Sequence, residues 1–387
     1  MSVNLQPGEA IPFSLYVHTP WCVKKCPYCD FNSHAVTEQG IPQQEYIDAL
    51  VRDLEFHLPE VWGRRLSSVF IGGGTPSLFA PEAIAELITA IRTRLPCVAG
   101  MEVTLEANPG TVEADSFEGF RQAGVNRLSV GVQSFDDQCL GKLGRIHSAD
   151  EAVAAVSRAL DAGFASVNLD LMFGLPGQSM SAALADLEQA LALAPGHLSL
   201  YQLTIEPNTP FMHRPPEKLP ADDVLAEMQD VLAGKLESAG LERYEVSAYA
   251  SGSLQCRHNR NYWEFGDYLG IGAGAHSKLS NAETIYRFSK PRSPGQYLAE
   301  AGQLSAVRGH RRLEEADLRF EFMLNALRLR DGFSIGLFEG HTRLSYSAIS
   351  ESVGEAVERG LLVEHDGRIQ ATETGYRFLS DTLLLFS

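Results

Sequence analysis

Six short strand-like runs recur over the first 205 residues of the chain: FSLYVH (13–18), SVFIG (68–72), MEVTLEA (101–107), RLSVGVQ (127–133), ASVNLDLMF (165–173) and HLSLYQLTI (197–205). Between them, apolar residues return at helical spacing over 43–58, 80–95, 113–123, 149–162, 180–193 and 221–239. Strand-like runs alternating with amphipathic helices predict βα units and a parallel sheet. Right-handed crossovers place every helix on the outside, so the sheet curls toward a barrel. Eight units would close it; six predict an open α/β architecture, a partial (β/α)6 barrel over 12–240.

The pattern changes after residue 240. A segment rich in Gly and aromatics, HNRNYWEFGDYLGIGAGAH (258–276), leads to the polar stretch SKPRSPGQ (289–296), which reads as a linker inside a connecting region over 241–312. Residues 313–387 then read as helix (314–330), helix (345–359), a hairpin LLVEHDGRIQAT turning at Asp366-Gly367, and a last helix (374–384). That order predicts a smaller C-terminal α+β module resembling a winged helix.

In a (β/α) barrel, the residues just after each strand share one face, and active sites sit there. A cysteine loop follows the first strand, GGGTP (72–76) follows the second, Glu106 closes the third and Gln133 the fourth, while Asp170 and Thr204 lie late in the fifth and sixth. Each alone reads as an ordinary loop or core residue. Polar residues converging on one face from six strands define a candidate site.

Composition narrows what that site can serve. The chain of 387 residues, 44% hydrophobic and 21% charged, has room for one large domain and a smaller one. Its net charge of −17 argues against nucleic acid and against broad attraction to anionic membranes. The C-terminal module carries seven Arg or Lys against thirteen Asp or Glu, the wrong sign for a DNA-binding winged helix. The first fifteen residues lack a signal-peptide pattern, and no apolar run approaches membrane-spanning length, so a cytoplasmic location is expected and any membrane contact would be peripheral. Homo-oligomerisation is left open.

Three of the six cysteines crowd one loop, PWCVKKCPYCDFNSH (20–34), as CxxxCxxC at Cys22, Cys26 and Cys29. Thiolates are soft ligands that suit zinc, copper(I) and iron-sulfur clusters. A structural zinc site wants a fourth Cys or His, and His34 stands five residues after Cys29. Three thiolates on a four-iron cluster would instead leave one iron open to a small molecule. GGGTP is neither a Walker loop nor a GxGxxG fingerprint, and GIGAGAH (270–276) reads as a tight loop.

CxxxCxxC with Tyr28 before its last cysteine resembles the motif of the radical S-adenosylmethionine (radical SAM) superfamily. With YVHTPWC, FIGGGTPS, LEANPGT, SVGVQSF, LGRIH and NLDLMFGLPGQ, the chain resembles the coproporphyrinogen III dehydrogenase-like branch over roughly residues 12 to 380, and within it the group of heme chaperones. The resemblance implies a 4Fe-4S cluster on Cys22, Cys26 and Cys29. It implies S-adenosylmethionine held by Tyr16, Gly73, Gly74, Thr75, Glu106, Gln133, Arg145 and Asp170, with Thr204 a further candidate. Carboxylates and amides suit hydroxyls there, and an Arg fork suits a carboxylate. It also implies heme binding through HNxxYW (His258, Asn259, Tyr262, Trp263), with His258 as axial ligand, Cys256 as its rival and acceptor hemoproteins as partners. The dehydrogenase itself resembles CxxxCxxCxC behind a long N-terminal extension. Here Phe31 occupies the fourth cysteine position and fifteen residues precede Tyr16, so decarboxylation of coproporphyrinogen III is the alternative function.

Overall fold

The computed structural model describes residues 11–110 and 114–387. All six expected strands form: β1 (Phe13–Thr19), β2 (Leu66–Gly73), β3 (Cys97–Ala107), β4 (Arg127–Gln133), β5 (Ser166–Phe173) and β6 (His197–Gln202). Each pairs in parallel with the next. The crossover helices are α1 (Gln43–His57), α2 (Pro81–Arg94), α3 (Phe117–Ala123), α4 (Ala149–Asp161), α5 (Met180–Ala192) and α6 (Asp222–Ser238). The start of the helix expected at 113, and Thr111 of LEANPGT, lie outside the described residues.

Strand alternation sorts the side chains. Leu128, Val130 and Val132 of β4 are buried in the main apolar core, whereas Arg127, Ser129, Gly131 and Gln133 line a cavity on the other face. The same period of two divides β5 into Leu169 and Leu171 in the core and Asn168, Asp170 and Met172 on the cavity.

The sheet does not stop at six strands. Along β6 it adds two short antiparallel strands, β7 (Glu242–Arg243) and β8 (Ala248–Ala250). Along β1 it adds β9 (Asp267–Ile271), parallel to β1, and then an antiparallel meander of β10 (His276–Ser280), β11 (Ile285–Ser289) and β12 (Arg308–Arg312). The resulting twelve-stranded order is β12-β11-β10-β9-β1-β2-β3-β4-β5-β6-β8-β7, open at both ends. The segment expected as a connecting region therefore contributes the whole of the sheet extension.

SKPRSPGQ is not a linker. Lys290 is 2% exposed, and its ammonium lies 2.5 Å from Asp53 Oδ1 and 2.6 Å from His57 Nε2 on α1. The Ser-Pro pair starts a helix at Pro294–Glu300, capped by the Ser293 side chain. Turn-rich composition marks a change of chain direction but does not tell whether water surrounds it.

The C-terminal module has its own apolar cluster around Phe322, Phe333 and Phe338, with Phe265 and Ile285 joining it from the sheet extension. Helix Glu315–Ala326 leads through the short strand Phe333–Ser334 to helices Ile335–Thr342 and Ser350–Glu358, then to the hairpin Leu362–His365 and Arg368–Ala371. Asp366 and Gly367 both take positive φ at the turn, as a two-residue hairpin loop requires. The last helix breaks at Phe378 into Glu373–Arg377 and Leu379–Leu384. No helix among the described residues is long and apolar enough to cross a membrane.

Candidate functional site

A cavity of about 370 Å³ opens at the C-terminal ends of β1 to β6. Cys22, Cys26 and Cys29 line it, together with Gly73, Gly74, Thr75, Glu106, Gln133, Arg145, Asp170 and Thr204. The three cysteines and eight of the nine residues that the resemblance assigns to S-adenosylmethionine thus meet in one place, whereas Tyr16 and His258 are not part of its lining. Tyr16 is turned onto His18, its hydroxyl 2.9 Å from Nδ1.

The cysteine loop is fixed from several sides. Tyr28 packs beside Phe211 in a small apolar cluster with Leu143 and Met172, and the Phe211 amide donates to the Pro27 carbonyl. At the far end, the Asn32 side-chain amide donates to the carbonyls of Ala273 and Arg292. Thr75 donates to Cys22 Sγ at 3.5 Å, and Arg145 to Cys26 Sγ at 3.8 Å. Burial pushes the Cys22 and Cys29 thiols up, so holding them as thiolates calls for a cationic centre between them. His34, the fourth ligand a zinc site would need, sits in a two-residue pairing with Trp21–Cys22 and does not line the cavity. Among the described residues no three ligating side chains converge closely enough to hold one ion, whereas an iron-sulfur cube takes one thiolate per iron and needs no such convergence. The donor set fits the cluster.

GGGTP lies tightly against the exit of β1. Gly74 and Thr75 donate their amides to the carbonyls of Thr19 and Trp21, and Gly73 has φ +111°. A Cβ at Gly73 would strike the His18 ring, and one at Gly74 the Trp21 carbonyl. The Gly73 amide donates to Glu106 Oε2 at 3.0 Å. Burial, reinforced by the Asp170 carboxylate, pushes Glu106 up to about 7, with Arg127 pulling the other way. Asp170, also raised by burial, accepts from Asn168 at 2.8 Å and Ser129 at 3.2 Å. Gln133 adopts φ 69° where β4 and β5 slip register, a left-handed conformation that costs a non-glycine residue about 1 kcal/mol. Such conformations concentrate at ligand sites.

HNxxYW is a helix, α7 (Arg257–Trp263), and it lies at the cavity floor rather than near the mouth. It packs on β2, where Ser68 stands early in the strand, opposite the cysteine end. Glu102 holds its start, accepting from the amides of Arg257 and His258 and from Cys256 Sγ. His258 is 1% exposed, stacked on Phe70, with Nδ1 3.1 Å from Ser68 Oγ and Nε2 3.2 Å from the Tyr262 hydroxyl. Burial pushes it down to about 3, so it is neutral. Burial pushes the Cys256 thiol up to about 12, so it stays protonated. Of this motif Asn259 is the residue that lines the cavity.

Comparison with known proteins gives the family. The radical SAM superfamily profile matches residues 16–190, and the HemN C-terminal domain profile matches residues 313–378. Over 97% of its length the chain is 48% identical to a protein of Haemophilus influenzae named heme chaperone HemW, covering 98% of that relative. The chain belongs to the HemW family of radical SAM proteins. The HemW of Escherichia coli is 47% identical, again over 97% of this chain and 98% of the relative. The coproporphyrinogen III oxidase HemN of Escherichia coli superposes with a TM-score of 0.81 over 97% of this chain and 90% of that one, at 23% identity, which is a likeness of fold.

This HemW-family cavity has lining residues that the motifs did not mark: Phe70, Arg127, Ser129, Asn168, Ser199 and Tyr201. A usable clue was present in the strands. In RLSVGVQ, VNLDLM and LSLYQ every second residue is polar or small, which is the inward face of a strand whose outward face is aliphatic.

Proposed function

We propose that the chain is a heme chaperone: it binds heme, a 4Fe-4S cluster and S-adenosylmethionine, and delivers heme to acceptor hemoproteins in the cytoplasm. The near-full-length similarity to proteins named heme chaperone HemW carries this reading. Phe31, 58% exposed where the dehydrogenase motif has its fourth cysteine, supports it over decarboxylation. Cys22, Cys26 and Cys29 would hold the cluster, which when bound supplies an electron and an open iron. Gly73, Gly74, Thr75, Glu106, Gln133, Arg145 and Asp170 would surround S-adenosylmethionine, whose sulfonium is a permanent cation.

A pH dependence follows from Glu106. Its carboxyl is mostly protonated at pH 6 and mostly ionised at pH 8, and only the ionised form attracts a cation. Affinity for S-adenosylmethionine should therefore rise between these pH values by roughly three- to tenfold in calorimetry, and Glu106→Gln should flatten the profile. An equal slope in both proteins would show that Glu106 does not set the pH dependence of binding.

For heme, the neutral imidazole of His258 is the form that would ligate iron; the ring lies behind the cavity lining, so it would have to turn toward the cavity and its Nε2 would have to be released by the Tyr262 hydroxyl. Cys256 would first have to lose a tightly held proton. His258→Ala is expected to shift the heme absorption spectrum and slow transfer to an apo-acceptor, with Cys256→Ala leaving both near wild type. The opposite pair of results would make Cys256 the ligand, and absence of heme binding by the wild-type protein would end the chaperone reading. Incubation of the same reconstituted protein with coproporphyrinogen III, reductant and S-adenosylmethionine should give no decarboxylated product; turnover there would establish the dehydrogenase instead.

A further inference from the structure

The deep half of the cavity is a hydrogen-bonded floor with one conspicuous exception. Asp170 accepts from Ser129 and Asn168. The Asn168 side-chain oxygen Oδ1 accepts from Ser199 at 3.0 Å and lies 2.6 Å from His197 Nδ1, and His197 Nε2 lies 2.9 Å from the Tyr244 hydroxyl. Arg127, on the same floor, is 3% exposed. Its Nε has no hydrogen-bond partner, and among the described residues no carboxylate oxygen stands within ion-pairing distance, 4.0 Å, of its guanidinium. A guanidinium carries five N–H donors in a planar fork, and enclosing the Nε–H without a partner is costly. The fork suits a carboxylate, which it grips through two parallel bonds.

We propose that Arg127 is an anion-recognition residue at the cavity floor, which grips a carboxylate of the molecule occupying the deep half of the cavity. Two ligands of this protein class bear that chemistry: the propionates of a heme macrocycle and the amino-acid carboxylate of S-adenosylmethionine. The floor favours the propionate, because the cysteines and Arg145, which suit the methionine end, lie at the other end of the cavity. That preference rests on the heme-binding role proposed above. Asn259, Ser129 and Ser199 stand around the same floor as further polar groups, and Phe70 offers an apolar face beside them. Burial works against the charge of Arg127, but neighbouring acidic groups, the Glu102 and Asp170 carboxylates among them, outweigh it, so the guanidinium remains a cation ready for an anion.

The test compares ligands that differ only in their carboxylates. Heme and heme dimethyl ester are titrated into wild-type protein, Arg127→Gln and Arg127→Lys, and S-adenosylmethionine and its decarboxylated form are titrated in parallel. Because each result is a ratio within one protein, a general loss of fold cancels. The lysine variant keeps a charge opposite Glu102 and Asp170 while losing the fork. Wild type should prefer heme over its diester by about ten- to a hundredfold. Arg127→Gln should abolish that preference, and Arg127→Lys should keep only part of it. If the S-adenosylmethionine ratio collapses instead, Arg127 grips the amino-acid carboxylate. If both ratios are the same in Arg127→Gln as in wild type, the proposal is wrong and Arg127 serves only to balance the surrounding acids. Should wild type bind neither heme nor its ester, the chaperone reading fails, and the S-adenosylmethionine arm alone decides the role of Arg127.

Discussion

Alanine at Cys22, Cys26 or Cys29 is expected to remove the iron-sulfur cluster outright, while alanine at Cys97 or Cys139 leaves about four irons per chain after anaerobic reconstitution. The three loop thiols face one cavity wall, with Thr75 and Arg145 donating to two of the sulfurs. Each thiolate would hold one iron, so losing any of them opens a second iron to solvent and removes the loop's grip. Cys139 sits in the apolar cluster behind Tyr28, and Cys97 starts β3 at the opposite end of the barrel. Neither lines the cavity. Iron and sulfide analysis with the visible spectrum checks the outcome. Stoichiometric zinc in place of iron would overturn the cluster assignment, and retention of four irons in any of the three loop variants would exclude that cysteine as a ligand.

How much of this arrangement the sequence disclosed depends on the range of the interaction concerned. The βα alternation is a local pattern, since inward and outward faces are written residue by residue, and all six strands and their parallel order were legible from it. The cysteine spacing and GGGTP were legible for the same reason. What lay hidden was the pairing of distant segments. Nothing local in DYLGI shows that it runs parallel to β1, and the Leu15 to Leu269 register joins residues far apart in the chain. HNxxYW was legible as a motif but not as a floor: its place depends on Glu102 and Ser68, which reach it from two strands well upstream. Arg127 opens a run that reads as an ordinary strand, and what distinguishes it is burial at the cavity floor with an Nε that lacks a hydrogen-bond partner.

Lys290→Met is the second large effect, and it tests the segment that looked most like a linker. The Lys290 ammonium contacts Asp53 and His57, and the Tyr297 hydroxyl donates to the other Asp53 oxygen at 2.9 Å. Asp53 is wholly buried. Removing the lysine strands that carboxylate, and breaking a buried pair from one side costs about 3–5 kcal/mol. The urea midpoint should fall accordingly, and Trp21 is well placed to report it by fluorescence, since its ring lies 4.7 Å from that of Tyr46 on α1. Asp53→Asn combined with Lys290→Met should recover part of the loss, because neither variant then leaves a charge alone. The damage should also reach the site. Tyr297 accepts from the Gly272 amide and Tyr46 from the Ala273 amide, and the Ala273 carbonyl holds Asn32 at the end of the cysteine loop. A loosened corner at Lys290 therefore frees one anchor of the cluster loop, and the reconstituted variant should lose iron to a chelator faster than wild type at a urea concentration where both remain folded. A wild-type midpoint would mean that the Lys290 contacts add nothing to stability; a lowered midpoint with unchanged iron loss would confine the network to the fold and cut its link to the site.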